Sequence, residues 1–183
     1  MIEVEIKARV NDLTSLKQTL DNLGAKMETT KKLVDKIYGK PEHLDSNGKY
    51  LEGELCPRIR DNNGSVRVEF KEIHRQGGGM EIETPVANIE FGMRFLEKLG
   101  YKEAFTISKV RDCYKYNDFE IDVDQVELLG NFVEIEKMVS SQDLIEPARQ
   151  ECLELLEKLI PGAEPANVKY GDLMQDWIDE NKK

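Results

Sequence analysis

Ile2-Glu3-Val4-Glu5-Ile6-Lys7-Ala8-Arg9-Val10 alternates apolar and ionised side chains without a break. Side chains alternate across a β-strand, so Glu3, Glu5, Lys7 and Arg9 share one face and the five apolar residues share the other. The pattern returns 76 positions downstream, where Met80-Glu81-Ile82-Glu83-Thr84-Pro85-Val86 aligns with residues 4–10. The same offset carries Leu20 onto Leu96, Leu23 onto Leu99, Gly24 onto Gly100, Lys26 onto Lys102 and Tyr38 onto Tyr114, with no gap. A repeat held at one offset predicts two similar halves, each a charged-and-apolar strand, a helix and a further strand.

Outward from the first strand, Leu13, Leu16, Leu20 and Leu23 recur at helical spacing and Gly24 stops the helix. Residues 31–38 read as a second strand, and 39–57 as an irregular loop with a short strand in it. Residues 58–60 and 66–71 form a hairpin around Asp61-Asn62-Asn63-Gly64, and Gln76-Gly77-Gly78-Gly79 is a turn leading into 80–86. A helix over 88–99 carries Phe91, Phe95 and Leu99 along one face. Strands follow over 106–116, 119–126 and 131–139, then helices over 142–159 and 171–183. About eight strands joined mostly by hairpins, with three or four helices, predict an α+β protein. No linker-like composition divides the chain, so residues 1–183 read as one domain.

The chain is 39% hydrophobic and 34% charged, with a net charge of −10. That acidity argues against a general nucleic-acid or membrane-surface binder. Phosphate binding would have to gather the 26 lysines and arginines locally. No apolar run approaches the roughly 18 residues of a membrane span, and the start lacks the pattern of a secretory signal. Cys56, Cys113 and Cys152 are odd in number and widely spaced, which suits a reducing cytoplasm better than a disulfide framework or a zinc site.

Alternation also groups Arg58 with Arg60, Arg67 with Glu69 and Lys71, Glu81 with Glu83, Lys109 with Arg111, Asp122 with Asp124, and Glu134 with Glu136. Any one such row is compatible with a solvated sheet face. Taken together they are almost wholly ionic, and several strands carry one sign only. In a sheet closed into a barrel, these rows would face inward and the amphipathic helices would cover the apolar outside. Buried charges at that density require partners. A polyanion with a bound metal supplies them: carboxylates take the cation, and arginine and lysine take the phosphate oxygens.

These residues resemble the CYTH superfamily, the triphosphate tunnel metalloenzymes, over roughly residues 1–140. Glu3-Val4-Glu5-Ile6-Lys7 resembles its ExExK signature. Arg58-Ile59-Arg60, Lys71, Glu81-Ile82-Glu83 and Lys109-Val110-Arg111 follow in the family's order. The most specific block is Asp124-Gln125-Val126-Glu127-Leu128-Leu129-Gly130-Asn131-Phe132-Val133-Glu134-Ile135-Glu136. Lys169-Tyr170-Gly171-Asp172-Leu173 is similar to the family's tyrosine-containing C-terminal segment. Two positions depart from the pattern: Ile37 stands where a tyrosine is usual in the Asp35 segment, and Gly79 where an arginine is usual, with Arg75 nearby.

The resemblance implies an eight-stranded antiparallel β-barrel enclosing a triphosphate, with flanking helices. Glu3, Glu5, Glu134 and Glu136, with Asp124, would hold Mg²⁺ or Mn²⁺. Lys7, Arg58, Arg60, Lys71, Lys109 and Arg111 would hold phosphate oxygens. Lys7, Lys109, Arg111 and Asp124 would serve the chemistry itself, and Asp122 has no assigned counterpart. The implied activity is that of a class IV adenylyl cyclase, converting ATP to cyclic AMP and pyrophosphate. A triphosphatase acting on tripolyphosphate, a nucleotide or thiamine triphosphate is the alternative, and a non-catalytic nucleotide or polyphosphate binder the second. The expected partner is a small triphosphate-containing substrate, with no nucleic acid and no membrane. A cytoplasmic monomer or homodimer is expected.

Overall fold

The structure, a computed structural model, describes residues 1–74, 80–166 and 168–182. Its elements are β1 (Ile2–Val10), α1 (Leu13–Leu23), β2 (Lys26–Gly39), β3 (Leu55–Asn62), β4 (Ser65–Glu72), β5 (Glu81–Pro85), α2 (Ile89–Lys98), β6 (Lys102–Tyr116), β7 (Phe119–Val126), β8 (Gly130–Val139), α3 (Ile145–Leu159) and α4 (Tyr170–Asn181). The eight strands belong to one sheet, in the hydrogen-bonded order β1-β8-β7-β6-β2-β3-β4-β5. Every pair with a described register is antiparallel. The turn expected at residues 76–79, and with it Arg75 and Gly79, lies outside the described residues. No helix among the described residues is long and apolar enough to cross a membrane.

Both halves of the repeat are strand–helix–strand: β1-α1-β2 and β5-α2-β6. Each helix is followed by a glycine with positive φ, +79° at Gly24 and +86° at Gly100, a backbone conformation that other residues adopt only with strain. Leu20 and Leu96, matched by the offset, are both fully buried.

The contacts divide the chain into two compact units. The first comprises Met1–Lys31, Val110–Val126 and Gly130–Asn167. Here β1 pairs with β8 from Ile2 opposite Val139 to Val10 opposite Asn131, and β8 pairs with β7. The apolar face of these strands packs with α1 and α3 through Ile6, Val133 and Ile135 against Leu16, Leu20 and Leu156. Each such side chain contributes about 1.5–3 kcal/mol by burial. Along β1, Ala166 donates its backbone N–H to the Lys7 carbonyl at 2.7 Å and Pro165 bridges Ala8, giving part of this edge strand a partner.

The second unit comprises Lys32–Lys109, Glu127–Leu129 and Val168–Lys183. Strands β3 and β4 form the expected hairpin, turning through Asn63 (φ 52°) and Gly64 (φ 90°), the two positive values that a type I′ turn requires. Helix α2 lies on β3 and β4 through Gly92 and Leu96. A Cβ at Gly92 would stand only 3.2 Å from Ile59 Cδ1, so the glycine lets the helix backbone come down onto the sheet. Phe91, Phe95 and Leu99, the apolar stripe legible in the sequence, remain 55%, 46% and 48% exposed. The closest approach of the helix, rather than its largest side chains, selects the buried face.

Candidate active site

In the first unit, strand register alone gathers the charges. Lys7 lies opposite Glu134, and Glu134 opposite Asp122; one step along, Glu5 lies opposite Glu136. Directly opposed side chains project from the same face, so β1, β8 and β7 present one ionic patch. Its cations are Lys7 and Arg111. The Lys7 ammonium, 5% exposed, sits 2.8 Å from Glu134 and 3.5 Å from Glu5. Burial acts to lower its pKa, but Glu134 and then Glu5 outweigh it and raise the value. Arg111 donates Nε and Nη2 to the two oxygens of Asp124, at 2.7 and 2.6 Å, and also bonds Asp122 and Glu134. Burial opposes its charge, and these carboxylates, Glu134 first, raise its pKa well above the usual value.

The carboxylates form two overlapping sets, Glu3 with Glu5 and Glu136, and Asp122 with Glu134 and Glu136. Within each set, one oxygen per residue lies within 4.8 Å of the others. Three convergent carboxylate oxygens are the donor type preferred by hard divalent cations such as Mg²⁺ and Mn²⁺, so both sets fit such an ion. Glu136 belongs to both. Its pKa is pushed up to about 8, first by burial and then by Glu134, Glu3, Asp122 and Glu5. Asp122 is also raised, by burial against the pull of Arg111.

The structure thus brings together Glu3, Glu5, Lys7, Arg111, Glu134 and Glu136, all read from the sequence. Asp124 is fully buried in the Arg111 fork and falls outside both carboxylate sets. Asp122 stands inside one. Its alternation with Asp124 was legible; its register opposite Glu134 was not.

The second unit carries a separate cluster. Arg60 donates Nε and Nη2 to Asp35 at 2.7 and 2.6 Å. Arg58 donates Nε to Glu69 at 2.5 Å and Nη2 to Glu81 at 2.8 Å, and Lys71 stands 3.5 Å from Glu81. Asp35 and Glu69 are 4% and 1% exposed. Burial would raise the Asp35 pKa, but the Arg60 hydrogen bonds, then Arg58 and Lys109, hold it below the usual carboxylate value. Lys109 is buried, with its Nζ 4.7 Å from the ring centroid of Tyr170. All four expected cations of this unit, Arg58, Arg60, Lys71 and Lys109, therefore meet ionic or aromatic partners. Glu69 was visible only as the middle member of an alternating charged row. Ile37, at the departed position, is buried opposite Arg58.

The three cysteines are free thiols, with pKa values pushed up by burial to about 12 at Cys56 and Cys113 and about 11 at Cys152, which makes them poor nucleophiles at neutral pH.

The CYTH domain model matches residues 1–165. A protein of Methanocaldococcus jannaschii, provisionally named an adenylate cyclase, is 35% identical over 162 residues, which is 87% of this chain and 90% of that protein. A solved structure from Pyrococcus horikoshii superposes with a TM-score of 0.78 at 23% identity, covering 94% of this chain and 99% of the other. A Hippeastrum protein described as an adenylyl cyclase with a dominant triphosphatase activity superposes with a TM-score of 0.68 at 15% identity, covering 96% of each chain. The eight-stranded antiparallel sheet with its flanking helices is the fold of these proteins, and the chain belongs to the CYTH domain family.

Proposed function

We propose that this protein is a metal-dependent enzyme acting on a nucleoside triphosphate, with adenylyl cyclase chemistry: the ribose 3′-hydroxyl of ATP attacks the α-phosphorus, and pyrophosphate leaves. One observation carries the metal requirement. Among the described residues, five carboxylates converge around Lys7 and Arg111, and burial together with the neighbouring carboxylates pushes Glu136 toward its neutral form. Like charges this close are unfavourable unless a cation joins them. A divalent cation there would polarise the phosphoryl group and offset the charge that develops on its oxygens.

The chain's own groups have distinct parts in this reading. Glu3, Glu5, Glu134 and Glu136, with Asp122, hold the cation. Lys7 and Arg111 bind phosphate oxygens and offset the charge that grows there. Asp124 acts through Arg111, fixing its guanidinium plane with a two-point fork. Arg58, Arg60, Lys71 and Lys109 supply further phosphate contacts, each already oriented by a carboxylate or a ring.

The name of the M. jannaschii relative supports the cyclase reading. Hydrolysis of a triphosphate is the second reading, since the same fold serves a dominant triphosphatase activity in the Hippeastrum protein. Product analysis with Mg²⁺ or Mn²⁺ and either ATP or tripolyphosphate decides between them. Cyclic AMP with pyrophosphate is the expected result. Orthophosphate without cyclic product would replace it with the hydrolase, and binding without turnover would leave a non-catalytic triphosphate binder.

A further inference from the structure

Arg58 and Arg60 are two residues apart on β3, so their side chains leave the same face of the strand roughly 7 Å from each other. Like charges that close repel unless something of opposite sign lies between them. Two carboxylates do. Asp35 on β2 stands directly opposite Arg60, and Glu69 on β4 directly opposite Arg58. Each also reaches diagonally to the other arginine. Asp35 Oδ2 is 2.6 Å from Arg60 Nη2 and 3.9 Å from Arg58 Nη1. Glu69 Oε2 is 2.5 Å from Arg58 Nε and 3.4 Å from Arg60 Nη1. The four groups close a ring of alternating sign, with three strands supplying its members. The carboxylates are buried, whereas the Arg58 and Arg60 side chains are 17% and 20% exposed, so the arginines are the members that a ligand meets. Burial opposes the Arg58 charge, and Asp35, Glu69 and Glu81 together outweigh it and raise its pKa.

We propose that Glu69 is a positioning residue for phosphate binding: by joining Arg58 to Arg60 it presents the two guanidinium groups as one rigid pair. Asp35 grips Arg60 at two points but stands 3.9 Å from Arg58, beyond hydrogen-bond length, so it does not orient both. Without Glu69 the two arginines would compete for Asp35, and Arg58 would keep only Glu81, a carboxylate 34% exposed on β5, as a hydrogen-bond acceptor. The role rests on the triphosphate reading above.

The test compares the full native chain with Glu69→Asp and Glu69→Gln. Two quantities are read: tripolyphosphate affinity by calorimetry with Mg²⁺ at fixed ionic strength, and the order of the Arg58 and Arg60 Nε–H groups by heteronuclear NOE. Aspartate keeps the charge but is too short to reach both guanidinium groups. In Glu69→Asp both arginine signals should lose order, that of Arg60 despite its intact Asp35 fork, and binding should weaken about threefold. Glu69→Gln should bind about tenfold more weakly, although it carries one negative charge fewer. A residue that merely balances charge gives the opposite pattern, with native affinity in Glu69→Asp and tighter binding in Glu69→Gln. Either of those results overturns the proposal, as do arginine signals that stay as ordered as in the native protein. Glu69→Asp, which preserves the ion balance, decides the question if Glu69→Gln does not fold. A native protein that binds no tripolyphosphate refutes the triphosphate reading and the phosphate role with it, while the NOE still decides whether Glu69 locks the two arginines together.

Discussion

Replacing Glu136 with glutamine should stabilise the metal-free protein, and only at high pH. The folded-state pKa of Glu136 is about 8 against an ordinary 4.5. Between those values the folded chain retains a proton that the unfolded chain has released, so stability falls as pH rises from about 4.5 to about 8 and then levels off. At about 1.4 kcal/mol per pKa unit, the full shift corresponds to about 5 kcal/mol, and side-chain relaxation reduces what is observed to about 2–3 kcal/mol. For a chain of this length that is roughly 5–10 °C in melting temperature. Glutamine has nearly the same shape but carries neither the charge nor the titration. In chelator at pH 9, Glu136→Gln should therefore melt above the native protein, and at pH 4.5 the two should coincide. Added Mn²⁺ should reverse the order at pH 9, because the native site gains the larger stabilisation from the ion. Equal melting temperatures at pH 9 in chelator, or a difference that does not vary with pH, would refute the reasoning from carboxylate crowding.

Arg60→Ala should cost about 3–5 kcal/mol in denaturant unfolding, because it leaves the buried Asp35 without its two-point partner; Arg60→Ala with Asp35→Asn should recover part of that loss. Asp112 tests acid stability on the other face of β6. Burial would raise its pKa, but Lys17 at 2.7 Å and the Thr30 hydroxyl at 2.6 Å hold it below 3.8. Its contribution is present above that pH and lost as pH falls through the depressed value, so Asp112→Asn should lower stability at pH 6 by about 1–2 kcal/mol and matter progressively less toward pH 2. Urea titrations at the two pH values check it.

Which features were legible depended on whether the signal was local. The alternation of residues 2–10 predicted β1 to the residue, and Gly24 and Gly100 marked both helix ends because a positive φ leaves few other choices. Strands β2 and β6 run further back than their patterns suggest, to Lys26 and Lys102. The added residues Lys26, Met27, Glu28, Thr29 and Thr30 are all exposed and leave no apolar alternation to read. Helix α3 begins at Ile145, after a separate 3-10 turn at Gln142–Leu144.

The sequence by itself determined the strand faces, the repeat and the family, and with them the residues that carry charge at the site. These follow from side-chain period and from φ preferences, which act within a few residues. Only the tertiary structure decided which charges meet. Register set Glu136 opposite Glu5 and Asp122 opposite Glu134, and so made Glu136 common to two carboxylate sets. It also gave Asp124 to Arg111, and Lys109 to a ring 61 positions away in the chain, at Tyr170. Electrostatic interaction depends on distance in space and on burial, neither of which is written in the spacing of residues along the chain.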